Sequence, residues 1–523
     1  MKLSIKNITR NMSILGLLLG ATSCEKYLDD AFINPNAPTV VSPELALPPI
    51  AANMARGIQF DARIAGSFVQ YFTRTGAGDS FDRHGYLPNS DTGGELWRMH
   101  YYALGQNLNN MIRDAKAQGK EEYVGVAFSV FAWSWLNLTD YHNEVILNQA
   151  FDTSRLTFDY DSQEDTYKQV AAMCDSANRY LDIAAKKTIS AGFAEADAYL
   201  YGGDLTKWKK FVSGVRAKLL HRYSLKSTYK PDEVIKAVDA AFTSVDDEAM
   251  VKFKNSAATA DEANFFGARR NNMGTYRQSE YFVKLLDGSI LTEKDPRLAY
   301  LLKPSDDKVF RGIAPNAGEA TTLPNNRKTY NFFGTIATIA PVVAFDQDVN
   351  SRSYFKNNAP FPIMTLAELQ FIKAEAAFIK GDKATALDAY KKGIKANFDM
   401  FKKYFTGYEN FTDKQVTDYI NSTKISPVAA DLKLNQIMVQ KFIALWGHGF
   451  METWVDMRRY KYSPDIYSGF ALPNALYPDN AGKLVQRVRP RYNSEYLWNV
   501  EALRKIGGLN PDYHTIECWF SKP

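Results

Sequence analysis

The chain is 523 residues long, 46% hydrophobic and 13% aromatic, with a formal charge of +5. Lys2, Lys6 and Arg10 supply much of that charge and no long basic run follows, so the remainder is near neutral and lacks the electrostatic footprint of a nucleic-acid binder. The apolar content suffices for a large core, and 32 Phe, 30 Tyr and 8 Trp also offer stacking surface for flat amphipathic ligands.

The first 23 residues read as a lipoprotein signal peptide. Lys2, Lys6 and Arg10 form a charged start, Met12 to Leu19 a short apolar stretch, and Ala21-Thr22-Ser23 the small residues before Cys24. The apolar stretch is too short to span a bilayer. A thiol at that junction is the nucleophile a diacylglyceryl transfer needs, which makes Cys24 the expected lipidation site and the first mature residue. Ala21 stands where Leu is usual, and an ordinary cleaved signal is the plainer alternative. Residues 24–49 contain prolines from Pro35 to Pro49. Fixed φ and missing donors there predict an extended tether.

From residue 50 to 523 the pattern is mainly helical. Val124–Leu138 carries no charge, but its 15 residues fall short of the ~18–20 that a membrane span needs, so a buried core helix is predicted. Residues 365–400 hold the clearest periodic unit. Leu366, Leu369, Ile372, Ala376 and Ile379 step along one face, Gly381-Asp382 interrupts, and Ala386, Tyr390 and Gly393 resume at the same spacing. Two amphipathic helices with small residues at their contact predict a tetratricopeptide-like pair, which buries its apolar face by stacking on others. Gly202–Ser224 and Asn435–Tyr462 are predicted to supply further packed helices. Aromatic, Gly- and Asn-rich loops interrupt them at 74–97, 264–282 and 324–355.

In that order, "NPNAP", "YVGVAFSVFAWSWLNLTDYHNEV", "GGDLTKWKKFV", "DPRLAYLL", "TLAELQFIKAEAAFIKGD" and "ALWGHGFMETWVDMRRYKY" follow the Cys24 junction. Together they resemble the SusD/RagB family of nutrient-binding outer-membrane lipoproteins of Bacteroidetes, in its SusD-like branch. The resemblance implies a mainly α fold of tetratricopeptide-like repeats with a loop-rich ligand-binding part. It also implies a lipid-anchored position at the outer membrane facing outward, and Glu25, Asp29 and Asp30 after the cysteine fit export to the surface. The partners it implies are a TonB-dependent SusC-like transporter and a nutrient, most often an oligosaccharide or polysaccharide and in some relatives a peptide. Its binding residues vary between members and do not transfer by motif.

Sugar recognition joins aromatic faces to amide, carboxylate or guanidinium groups that meet hydroxyls. Phe81, Asp82, Arg83, His84 and Tyr86 offer that mixture in the first loop, although its aromatics would equally pin the loop to the body. Phe265, Phe266, Arg269, Asn271 and Tyr276 form a second candidate set. Tyr330 marks a third, beside Phe332 and Phe333, a pair more typical of a core. Trp97, Trp133, Trp135, Trp208, Trp446 and Trp454 are assigned to core packing, and Arg458-Arg459 to carboxylates or helix-end carbonyls. His448 suits a turn or cap as well as a ligand. No His/Cys spacing suits a metal, no cofactor fingerprint appears, and Cys174 and Cys518 could pair only if the fold joins them. The acids Glu368, Glu375 and Asp382 lie on the repeat helices, where solvation or pairing accounts for them. A binding protein rather than an enzyme is the reading, with a tetratricopeptide protein-binding scaffold and a surface glycan hydrolase as the rivals.

Overall fold

The structure is a computed structural model that describes residues 41–253, 262–336 and 348–523. The signal peptide, Cys24 and the tether as far as residue 40 lie outside the described residues, and with them the lipidation expectation.

The first helix, α1, spans Pro43–Phe68. The tether predicted through residue 49 therefore gives way to helix at Pro43. A proline at a helix start loses nothing, because its N–H would have no intrahelical partner. Pro48 and Pro49 lie inside the helix and cost about 3 kcal/mol each. Against them, Leu47, Ile50, Met54 and Ile58 are buried along one face, each stabilising by about 1.5–3 kcal/mol. Tertiary burial outweighs the local preference.

The helices that build the repeat body are, in chain order, α2 (Gln106–Gln118), α3 (Glu121–His142), α4 (Gln163–Ala184), α5 (Leu205–His221) and α6 (Pro231–Asp239). Further along, the same body takes in α7 (Leu366–Lys380), α8 (Lys383–Tyr404), α9 (Leu434–Leu445) and α10 (Phe450–Arg459), with shorter helices such as Glu280–Leu286 and Asp413–Asn421 between them. Successive members from α2 to α5 pack side by side; α6 bridges α5 to α7, and α7 lies against both α8 and α9. This is the stacked-pair architecture of tetratricopeptide-like repeats, and the fold is mainly α as the periodicity predicts. Two antiparallel ribbons complete it among the described residues: β1 (Phe72–Arg74) with β3 (Tyr276–Gln278), and β2 (Ala249–Val251) with β4 (Phe361–Met364). In the first ribbon Thr73 faces Arg277, and in the second Val251 faces Phe361.

The α7–α8 pair shows how local chemistry sets the repeat. Thr365 caps α7 by accepting from the Glu368 N–H. Gly381, at φ 89°, closes that helix in the left-handed region, and Asp382 opens α8 by accepting from the Thr385 N–H at 3.0 Å. At Gly393 an added Cβ would sit 2.9 Å from the Phe371 ring, so the two helices touch only because no side chain stands there. One expectation for α7 fails: Ile379 is 41% exposed. It sits in the last turn, beyond the neighbouring helices that bury Leu369, Ile372 and Ala376.

α3 is almost wholly buried, as its uncharged stretch predicts, and no described helix is long and apolar enough to cross a membrane. The six tryptophans assigned to the core are all buried. Cys174 and Cys518 are buried and free rather than paired.

Where the repeats meet, the core is ionic. Glu375 on α7 accepts from Arg459 Nη1 at 2.7 Å and from the Tyr460 hydroxyl at 2.6 Å, and lies 2.9 Å from His221 Nε2. Arg222, just past the end of α5, forks onto Glu452 and reaches Asp140 on α3. Lys218 pairs with Glu368, and Lys441 bridges Glu452 and Asp456. The charged side chains of this junction are all buried. Burial would raise the Glu375 carboxyl, but Arg459 and His221 more than offset it and hold it well below the usual carboxylate range. At Glu368 burial wins over Lys218, and its carboxyl is raised. Glu368 and Glu375 are thus paired rather than solvated, and Arg459 meets carboxylates as its position suggested. Arg458 instead donates to the main-chain carbonyls of Asp140 and Gln486.

Candidate functional site

The three predicted loops fare differently. In the first, Phe81, Asp82 and His84 are buried. Asp82 accepts from the Arg74 N–H at 3.0 Å, and its carboxyl, desolvated, is raised to about 6. His84 packs between Phe68 and Tyr462, and burial pushes its imidazole down to about 3. Arg83 donates to the carbonyls of Ala475 and Leu476. These four hold the loop in place; Tyr86 alone of the set presents a partly exposed ring, and with the edge of Phe81 it reaches a cleft.

In the second loop Phe265, Phe266 and Tyr276 are core residues. Phe266 stacks on Phe355, and Tyr276 carries the Arg74 guanidinium 4.0 Å above its ring. The Arg269 N–H donates to the Asn357 side chain, and Asn271 takes a left-handed φ of 51°. Neither lines the two clefts described next. Tyr330, in the third loop, is half-buried, donates to Asp306 and lies under Lys303; part of that loop, 337–347, lies outside the described residues. The aromatics of these two loops were drawn inward by the same ring area that marked them as ligand candidates.

Two neighbouring ligand-sized clefts share the side chain of Arg491. The first, about 460 Å³, is walled by residues 85–90 and 92–94, by 485 and 487–492 and by Tyr496 and His514. Tyr86 stands on its wall, its hydroxyl donating to Asp479 at 3.1 Å and one ring face covered by the Arg489 guanidinium at 4.4 Å. Arg489 is itself held by the carbonyls of Gly508, Asn510 and Pro511. Tyr492 and Tyr496 stack at 5.4 Å and 22° and form a flat platform. Asn89, Ser90 and Thr92 add amide and hydroxyl groups. Burial, helped by Arg489, pushes the His514 imidazole down to about 4, so it is neutral at physiological pH.

The second cleft, about 500 Å³, is walled by Trp97, Arg98, Tyr101 and Tyr102, by Phe151 and Phe158, and by Arg491, Ser494 and Glu495. Met99–Gly105 and Tyr492–Tyr496 are both π-helical, a geometry that often marks functional sites because it re-aims side chains from the helix. Tyr101 is fixed by donating to the Ile146 carbonyl at 2.9 Å, and Glu495 accepts from the Tyr160 hydroxyl at 2.6 Å. Tyr102 is 72% exposed, which leaves its ring open. Both volumes fall in the range of small-ligand sites. Each wall carries one carboxylate, Asp479 in the first cleft and Glu495 in the second.

The family model for SusD-like proteins, described as "Starch-binding associating with outer membrane", matches residues 35–485. The chain belongs to the SusD-like family. Among solved structures it is similar to a SusD/RagB family protein from Bacteroides thetaiotaomicron, at 24% identity and TM-score 0.67, covering 92% of this chain and 99% of that one. It is also similar to a chitin-binding SusD homologue from Flavobacterium johnsoniae, at 19% identity and TM-score 0.67, covering 92% and 98%. A third is a SusD-like protein of Bacteroidetes AC2a, at 20% identity and TM-score 0.70, covering 92% and 100%. At such identities the likeness is one of fold. No curated protein matches the chain.

Within this SusD-like fold, sequence reasoning reached the right loop but favoured its buried end. It passed over Tyr101 and Tyr102, Phe151, and the whole of "RVRPRYNSEYLW" at 487–498. That last stretch did carry a signal: arginines at every second position, a proline, then two tyrosines four residues apart. Trp498, 76% exposed, ends it. In an extended segment such spacing puts Arg487, Arg489 and Arg491 on one side.

Proposed function

We propose that this SusD-like protein binds an oligosaccharide in the paired clefts and hands it to a TonB-dependent SusC-like outer-membrane transporter. The observation that carries the reading is the clefts themselves: exposed and half-exposed aromatic faces set among hydroxyl, amide and guanidinium groups. Sugars present C–H patches that stack on such faces and hydroxyls that need such donors. The family description and the chitin-binding relative support the ligand class. The protein sits at the cell surface, acylated at Cys24.

Binding without catalysis is the second part of the reading. Glycoside hydrolysis uses two carboxyl groups facing each other at about 5–10 Å, whereas Asp479 and Glu495 line different clefts on either side of Arg491 and each is engaged by a tyrosine. Calorimetric titration against starch-, chitin- and plant-derived oligosaccharides tests the ligand class. Heat with one series and no product after prolonged incubation is expected. Product formation would turn the reading to a hydrolase. Silence across the panel, with a transporter still co-purifying from native membranes, would turn it to a protein-binding or non-glycan role. For the anchor, Cys24→Ala should release the protein from the membrane fraction and abolish fatty-acid labelling.

A further inference from the structure

We infer that the two clefts are one elongated site divided by Arg491, and that this residue selects a linear, uncharged saccharide long enough to fill both. The inference rests on the carbohydrate reading and deepens it.

Arg491 borders both clefts. Its stem lies against Gly94, where an added Cβ would stand 2.9 Å from Arg491 Cγ. Its Nη2 donates to Asp91, and Asp91 is in turn fixed by the Asn493 N–H at 2.8 Å and the Asn493 side chain at 2.7 Å. The Gly94 N–H donates to the Asp91 carbonyl at 2.8 Å and closes the turn that presents Asp91 to Arg491. The guanidinium is therefore held before any ligand arrives, and little ordering is left for binding to supply. Its Nε and Nη1 make no hydrogen bond to the described protein, and the side chain is about a quarter exposed. Donors so placed suit two hydroxyls of a ligand crossing from one cleft to the other.

Charge narrows the ligand further. Asp91 neutralises Arg491, so the divider offers directed donors without an uncompensated positive charge. That arrangement binds neutral hydroxyls and gives no premium to an acidic sugar. Aromatic platforms lie on both sides, Tyr492 and Tyr496 in one cleft and Tyr102 in the other. A monosaccharide or disaccharide would occupy one platform and meet Arg491 from one side only.

The test is a chain-length series measured calorimetrically: maltose to maltoheptaose, and N-acetylglucosamine oligomers from dimer to hexamer. In whichever series binds, affinity is expected to rise about tenfold or more from dimer to hexamer. Arg491→Gln should remove most of that rise while changing dimer affinity less than about threefold. Tyr102→Ala, at an exposed position that leaves the fold intact, should likewise weaken the hexamer and spare the dimer. Carboxylated oligomers such as trigalacturonate should bind no better than neutral ones of equal length. A flat series, an equal loss for dimer and hexamer, or a clear preference for the acid overturns the inference and leaves the carbohydrate reading standing. If no saccharide of either series or of a wider glycan panel binds, the carbohydrate reading falls, and this inference with it.

Discussion

The repeat junction and the clefts use the same residue types to opposite ends. At the junction of α5, α7, α9 and α10, Arg459, Arg222, Lys218 and Lys441 face carboxylates on neighbouring helices, and every partner is sealed from solvent. At the clefts two Arg491 donors make no hydrogen bond among the described residues, and Tyr102 is 72% exposed. A charge buried with full partners locks one arrangement of helices; a charge held from one side by a fixed partner is poised for a ligand. The aromatics divide the same way. Phe266, Phe355 and Trp446 form the interior, while Tyr86, Tyr492 and Tyr496 line a wall.

The contrast breaks most visibly if a buried partner is removed. Glu375→Ala leaves Arg459 and His221 facing each other without that acid, and should cost about 3–5 kcal/mol. Chemical denaturation would show it, with ligand affinity unchanged in the folded fraction. An equal loss of affinity at unchanged stability would place the junction in the binding machinery instead.

Asp61 is a buried acid that supports the cleft side. It sits on α1, fully buried, and accepts from the Leu96 N–H at 2.8 Å, holding the short helix Glu95–Arg98 that leads into Tyr101 and Tyr102. Burial pushes its carboxyl up to about 7 from an ordinary 3.8. Between those values the folded protein keeps a proton that the unfolded chain releases, so this group's contribution to stability is full below about pH 4 and is lost as pH rises toward 7. Asp61→Asn keeps an acceptor for Leu96 and cannot ionise. Its stability relative to the parent should climb across that window, by at most about 4 kcal/mol. A difference that stays constant with pH would show that Asp61 titrates normally.

A smaller effect is expected at Gly94→Val, which pushes on the stem of Arg491. Overpacking should cost about 1–3 kcal/mol of stability and, more tellingly, weaken long saccharides about tenfold; intact affinity would show that Arg491 need not be held. Smallest is Tyr102→Ala, expected within about 0.5 kcal/mol of the parent stability because the ring is solvated. A larger loss in thermal unfolding would make Tyr102 a packing residue and erase the contrast between junction and cleft.

What was legible in the sequence followed from periodicity. The step of three or four in α7, the Gly-Asp break and the small residues of α8 are local signals, and they produced the right helix pair. So did the uncharged stretch of α3. Chain-wide likeness named the family in the same way, because its helices carry those signals in order. Aromatic loops were less legible. Phe266 and Tyr86 are both aromatic and both flanked by glycine and polar residues, yet one is core and the other wall.

Local sequence alone dictates the helical repeats, the buried tryptophans and the expectation of a lipid-anchored binder, since each rests on neighbours in the chain. Packing in three dimensions is what runs α1 through Pro48 and Pro49, brings Glu375 to Arg459, and brings Asp91 to Arg491. The partners in each ion pair stand far apart in sequence, 84 positions in the first and 400 in the second, and no local pattern records which one a side chain will face. Burial and pairing are properties of the packed whole.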